Sequence, residues 1–153
     1  MKNYFIFLVL CSFSCVLGCS ASKESAKGTN SKPVVIIETE LGSIEVELYP
    51  DKAPVTVANF LAYVDSGMYE GGRFHRTVTM DNQPNNDVKI EVIQAGRAPG
   101  SGRSFPPIKL ERTNVTGILH KDGVISMARG GPDSATSDFF ICIGDQPSLD
   151  FGG

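Results

Sequence analysis

Between Pro33 and the end of the chain, short β-like runs are divided by Gly, Pro, Asn and Asp, and only one stretch changes to a helical period. That pattern is the tightest limit on the fold. Val34–Glu40 (VVIIETE) is β-branched, and Ser43–Tyr49 (SIEVELY) alternates, with Ile44, Val46 and Leu48 on one face and Glu45 and Glu47 on the other. Leu41-Gly42 between them marks a hairpin. Further β-like runs cover 74–79, 90–94, 124–128 and 138–143. After Tyr49-Pro50-Asp51, the residues Val57, Phe60, Leu61 and Val64 fall at i, i+3, i+4 and i+7, while Pro54 suits a first helical turn and Gly67 a C-terminal cap. A helix with one apolar stripe covers an open end or face of a sheet. The expected fold is therefore mainly β, an antiparallel barrel with a capping helix. The polar stretch MDNQPNNDVK at 80–89 is expected to be a surface loop.

The first residues stand apart from this pattern. Lys2 precedes an apolar run, Tyr4–Leu17, that is too short to span a bilayer and has the form of a bacterial export signal. Val16-Leu17-Gly18-Cys19 resembles the lipobox of bacterial lipoproteins. That resemblance implies cleavage before Cys19 and a diacylglycerol on its sulfur, with the protein exported and lipid-anchored in the cell envelope, on the periplasmic side. The organisation expected is a signal peptide over 1–18, a flexible tether over 19–32 with no aliphatic periodicity, and a folded domain over 33–153. Cys11 and Cys15 leave with the signal and Cys19 is acylated, so Cys142 alone remains and no internal disulfide is expected. The net charge of −3, one unit more negative once Lys2 is removed, argues against nucleic acid as the main partner.

Several chemistries are excluded by the residues themselves. The histidines are His75 and His120, and neither has a carboxylate or thiol at helical ligand spacing, so no metal site is expected. No Gly-x-Ser-x-Gly elbow occurs. Gly100-Ser101-Gly102 lacks the preceding strand, following helix and lysine of a phosphate loop and reads as a turn. Asn114-Val115-Thr116 matches a glycosylation sequon, but it stands in a chain whose leader is of bacterial type. The run RFHRTVTM at 73–80 sets His75 beside Arg76 in a strand, where neighbours point to opposite faces. One of the two is expected to face the core and the other a surface or cleft. A core-facing histidine is more often a hydrogen-bonded structural residue than a catalyst, which leaves Arg76 as the candidate functional side chain. On these residues alone, a solvated strand arginine is the simpler reading.

Phe74-His75-Arg76, Ile93-Gln94-Ala95-Gly96, Gly123-Val124-Ile125-Ser126-Met127-Ala128, Ser137-Asp138-Phe139-Phe140-Ile141-Cys142 and Leu149-Asp150 occur in the order and context of cyclophilins. The chain resembles that family from about Val34 to Gly153. The resemblance implies an eight-stranded antiparallel barrel closed by two helices and peptidyl-prolyl cis-trans isomerase activity on exported proline-containing polypeptides, without metal or organic cofactor. It also implies site roles. Arg76 is the catalytic arginine, and His75 beside it is structural. Gln94 hydrogen-bonds the substrate backbone, Phe140 floors the proline pocket, and Leu149 forms part of its wall. Ala128, Arg129 and Gly130 line the groove for residues preceding proline.

The departures from the family pattern are specific. The segment between Arg76 and Gln94 is longer than usual, and the Phe-Met pair before the glutamine is replaced by Glu91-Val92, which puts Val92 at a pocket position. Arg129 stands where asparagine is common, and Ser148 where many members carry tryptophan, so strong cyclosporin binding is not expected. FGG closes the chain where members continue through the last strands and the second helix. The domain is therefore expected to be incomplete at its C-terminal end, with a sheet edge exposed, as a shortened form of an ordinary isomerase. A rival expectation is a chaperone that binds proline segments in the same groove without turnover, or an inactive fragment.

Overall fold

The computed structural model describes residues 32–102 and 104–152. The expected signal peptide, Cys19 and all of the expected tether but Lys32 lie outside these residues.

Strands β1 (Val34–Thr39) and β2 (Gly42–Glu47) form an antiparallel hairpin, in register from Val34 opposite Glu47 to Thr39 opposite Gly42. Alternation decides which side chains turn inward. Val35, Ile37 and Ile44 pack against the buried Val46 and Leu48, while Val34 and Ile36 stay exposed. At the turn, the Thr39 hydroxyl donates to the Gly42 carbonyl at 2.7 Å and accepts from the Leu41 amide at 3.2 Å.

Helix α1 (Pro54–Asp65) begins with proline in its first turn and ends in a Schellman arrangement, with Met68 N–H bonded to the Tyr63 carbonyl and Gly67 N–H to that of Val64. Gly67 has φ +66, a conformation in which a side chain would be strained. The buried face contains the expected Val57 and Phe60, but its deepest member is Tyr63, fully enclosed, whereas Leu61 and Val64 are half-buried. Tyr63 tolerates burial because its hydroxyl oxygen accepts the Phe105 amide at 2.8 Å and its ring meets Phe105 edge-on.

The N-terminus of α1 has no local side-chain cap. Glu111, distant in sequence, supplies one: its two carboxylate oxygens accept the Val55 and Thr56 amides at 3.1 and 2.7 Å. This satisfies two otherwise orphaned donors and sets a negative charge at the positive end of the helix. Glu111→Ala is expected to lower stability by about 1–2 kcal/mol, the usual cost of a lost N-cap, read as a shifted urea midpoint with an unchanged slope.

Strands β3 (Arg73–Val78), β4 (Val92–Gly96), β5 (Ile125–Met127) and β6 (Phe139–Cys142) form one antiparallel sheet in the order β3-β4-β6-β5. The core joins this sheet to α1 and the hairpin through Val46, Leu48, Val57, Phe60, Ala95 and Phe139. Phe139 is its centre, meeting Phe60, Tyr69 and Phe74 edge-on at 5.5, 5.6 and 6.4 Å between centroids. The mainly β, antiparallel, helix-capped architecture is the one expected. The sheets do not close into a barrel, in keeping with the expectation of an incomplete one: among the described residues the strands form separate two- and four-stranded sheets, joined by side-chain packing and not by a continuous backbone ladder.

Two connecting segments carry local order beyond what their sequence patterns announce. The polar stretch at 80–89 is exposed for the most part but pinned by buried Gln83, whose amide nitrogen donates to the Thr79 and Ile90 carbonyls, each at 2.8 Å. Residues Thr113–Thr116, noticed in sequence only as a sequon, form the single-turn helix α2.

Candidate active site

The face of the four-stranded sheet opposite the core carries a groove of about 550 Å³. Register explains how its residues converge. Arg76 on β3 lies opposite Gln94 on β4, Gln94 lies opposite Phe140 on β6, and Phe140 lies opposite Ser126 on β5. Residues directly opposite in an antiparallel ladder share a face, so Arg76, Gln94 and Phe140 form a row across the sheet. Alternation within β6 sends Phe139 into the core and its half-buried neighbour Phe140 into the groove. Val92 comes from the start of β4, Ala128, Arg129 and Gly130 from the segment after β5, and Leu149 from the turn at Pro147–Leu149. All eight side chains and backbone positions expected at a peptide groove thus line the same depression. Ile90, Met127, Ser134, Thr136 and Asp138 line it as well, and only the resemblance's motifs, not a role, pointed to Met127 and Asp138.

Arg76 is exposed, and its Nη1 donates to Gln94 Oε1 at 3.2 Å. Gln94 Nε2 in turn lies 3.5 Å from Asp138 Oδ2. Gly96 makes this possible, because a Cβ there would overlap the Asp138 carboxylate.

The expectation that either His75 or Arg76 faces the core is corrected by the structure. The pairing shifts between Phe74 and Arg76, which places a β-bulge at His75. A bulge inserts one unpaired residue and breaks the strict two-residue alternation on which the expectation rested. His75 is consequently outside the core, with its side chain 32% exposed and its Nε2 3.6 Å from the same Asp138 oxygen that Gln94 approaches. His75 and Arg76 therefore reach the polar side of the groove together, through Asp138 and Gln94.

Sequence reasoning gave His120 no role beyond rejecting it as a metal ligand. Its ring stacks on Phe140 at 5.9 Å and 15°, which supports the groove floor from behind. Asp150 Oδ1 accepts both the His120 amide and the ring Nδ1, at 3.0 and 2.9 Å, and Ser126 Oγ lies 3.2 Å from Nε2. The motif Leu149-Asp150 was the available signal. Desolvation pushes the Asp150 carboxyl up, but the His120 amide and ring outweigh it and hold its pKa below the ordinary value. A carboxyl with a depressed folded-state pKa contributes stability above its unfolded pKa of about 3.9 and loses that contribution as pH falls through the folded value. The stability difference between wild type and Asp150→Asn is therefore expected to be largest at neutral pH and to shrink below about pH 4, measured by urea unfolding across the pH range.

Cys142 is free and buried, and burial pushes its thiol up to about 11, so it is an inert packing residue on β6. Among the described residues no group of three His, Cys, Asp or Glu side chains could hold a metal ion.

Comparison with known proteins agrees with this geometry. The family profile of the cyclophilin-type peptidyl-prolyl cis-trans isomerases (CLD) matches residues 34–152. Peptidyl-prolyl cis-trans isomerase A of Dickeya dadantii is 37% identical over 145 residues, covering 94% of this chain and 71% of the relative. A peptidyl-prolyl cis-trans isomerase of Arabidopsis thaliana is 36% identical over 130 residues, covering 82% and 73%. Among solved structures, a cyclophilin-type isomerase of Cryptosporidium parvum, crystallised in the presence of the dipeptide Ala-Pro, superposes with a TM-score of 0.59 at 27% identity, covering 77% of this chain and 72% of the other. Fold, groove and relatives lead to one assignment: the chain belongs to the cyclophilin-type peptidyl-prolyl cis-trans isomerase family.

Proposed function

We propose that the protein catalyses cis-trans rotation about X-Pro bonds, with Arg76 as the catalytic residue. The observation that carries the reading is the cross-strand row in which Arg76 and Gln94 are hydrogen-bonded beside the ring of Phe140. Resonance in the imide bond sets a barrier of about 18–20 kcal/mol, and uncatalysed exchange takes tens to hundreds of seconds. No bond to the substrate has to form or break. What lowers the barrier is a donor aimed at the prolyl nitrogen, which stabilises its pyramidal form as conjugation is lost in the twisted transition state.

Arg76 suits that task because its guanidinium stays charged and carries five N–H groups, of which the Gln94 contact uses one. Val92, Phe140 and Leu149 give the groove an apolar patch for the proline ring, and Gln94 fixes the guanidinium while presenting its amide to the substrate backbone. The lipobox-like leader extends the proposal to place: a protein anchored through Cys19 in the cell envelope, on the periplasmic side, acting on exported polypeptides. Metabolic labelling with a radioactive fatty acid tests the anchor, with label expected in the wild type and lost in Cys19→Ala.

Two-dimensional exchange NMR on a short Ala-Pro peptide tests the activity. Substoichiometric protein is expected to produce cis-trans exchange peaks absent from the peptide alone. Saturable peptide binding with no exchange peaks would replace the isomerase by a chaperone that holds proline segments without turnover.

A further inference from the structure

We infer, resting on the isomerase reading, that Arg129 is a specificity-determining residue that selects proline segments carrying a carboxylate within a few positions of the proline. Charge within the groove is unbalanced. The charged side chains lining the groove are Arg76, Arg129 and Asp138. Asp138 already faces His75 Nε2 at 3.6 Å, Gln94 Nε2 at 3.5 Å and the Ser137 hydroxyl at 3.4 Å, whereas Arg76 is tied to a neutral amide. The groove thus holds an excess of cations in a chain whose net charge is −3.

Arg129 also lines a smaller adjoining cavity of about 50 Å³, whose walls include the carboxylates of Glu111 and Asp133. Both are committed elsewhere. Glu111 accepts the Val55 and Thr56 amides at the start of α1, and Asp133 accepts Lys109 Nζ and the Leu110 amide, each at 2.9 Å. Exposed Arg129 has no hydrogen-bond or ion-pair partner among the described residues. A guanidinium left unpaired at the edge of a groove is a ready partner for a carboxylate, which it can grip through two parallel N–H donors, and it gives up hydration more easily than an ammonium would. A groove of about 550 Å³ accepts a ligand of a few residues, which limits how far from the proline that carboxylate sits.

The test is a set of proline peptides with Glu, Gln or Lys placed in turn at the three positions on either side of the Ala-Pro pair, with kcat/KM measured for the full chain. At the best position the Glu-to-Lys ratio is expected to be about 5-fold at low salt and to approach 1 at 0.5 M salt, as for a partly exposed charge pair. Arg129→Gln is expected to bring the ratio close to 1, and Arg129→Glu to invert it. A wild type indifferent to peptide charge, or a ratio unchanged in both variants, would overturn the inference. The Gln peptides report the isomerase reading separately. Should they show no acceleration, the same Glu-to-Lys comparison is made on dissociation constants, where dependence on Arg129 still decides the matter.

Discussion

Arg76→Ala is expected to lower kcat/KM for X-Pro exchange by roughly 10²–10³-fold, the usual cost of deleting a donor aimed at charge that develops in the transition state. The side chain is exposed, and among the described residues its one hydrogen bond is to Gln94, so the thermal transition should move little. Arg76→Lys separates charge from shape. An ammonium keeps the charge but loses the planar fork that can hold Gln94 and the prolyl nitrogen at once. Lysine is therefore expected to recover only a small part of the lost rate. Full recovery would mean that a diffuse positive potential, and not a directed donor, drives the reaction.

The second large effect separates adjacent residues on β6. Phe139 is 4% exposed and touches three other aromatic rings, so Phe139→Ala removes the centre of the core and is expected to cost about 3–5 kcal/mol. Phe140 is half-buried, with one side in the groove and the other stacked on His120. Phe140→Ala is expected to cost less stability but to lower kcat/KM on the order of tenfold, a loss of about 1.4 kcal/mol from a truncated apolar contact with the proline ring. Urea unfolding and the exchange assay, run on both variants, read the two effects side by side. Swapped outcomes, with activity lost at Phe139 and stability at Phe140, would reverse the faces assigned to β6.

Local order was the legible part of this chain. The hairpin could be read because Ile44, Val46 and Leu48 alternate with glutamates, and α1 because Pro54 and Gly67 bracket a helical period. Tyr63 was missed as the deepest residue of that helix because what makes its burial tolerable is the amide of Phe105, far along the chain. The Glu111 cap and the His120–Asp150 pair were missed for the same reason: neither partner is adjacent in sequence. The bulge at His75 defeats parity reasoning, since nothing in RFHRTV announces an extra residue in the ladder. The groove itself depends on register among β3, β4, β5 and β6, which single-strand patterns do not contain. Apart from Arg76, which strand parity singled out, its residues were legible only through the resemblance to cyclophilins.

A crystal structure of the protein with Ala-Pro bound is the most direct test of the catalytic account. It should show the proline ring against Phe140 and an Arg76 guanidinium nitrogen within about 3.2 Å of the prolyl nitrogen. A dipeptide seated in the groove with the guanidinium turned away from that nitrogen, or a ring bound anywhere other than over Phe140, would contradict it.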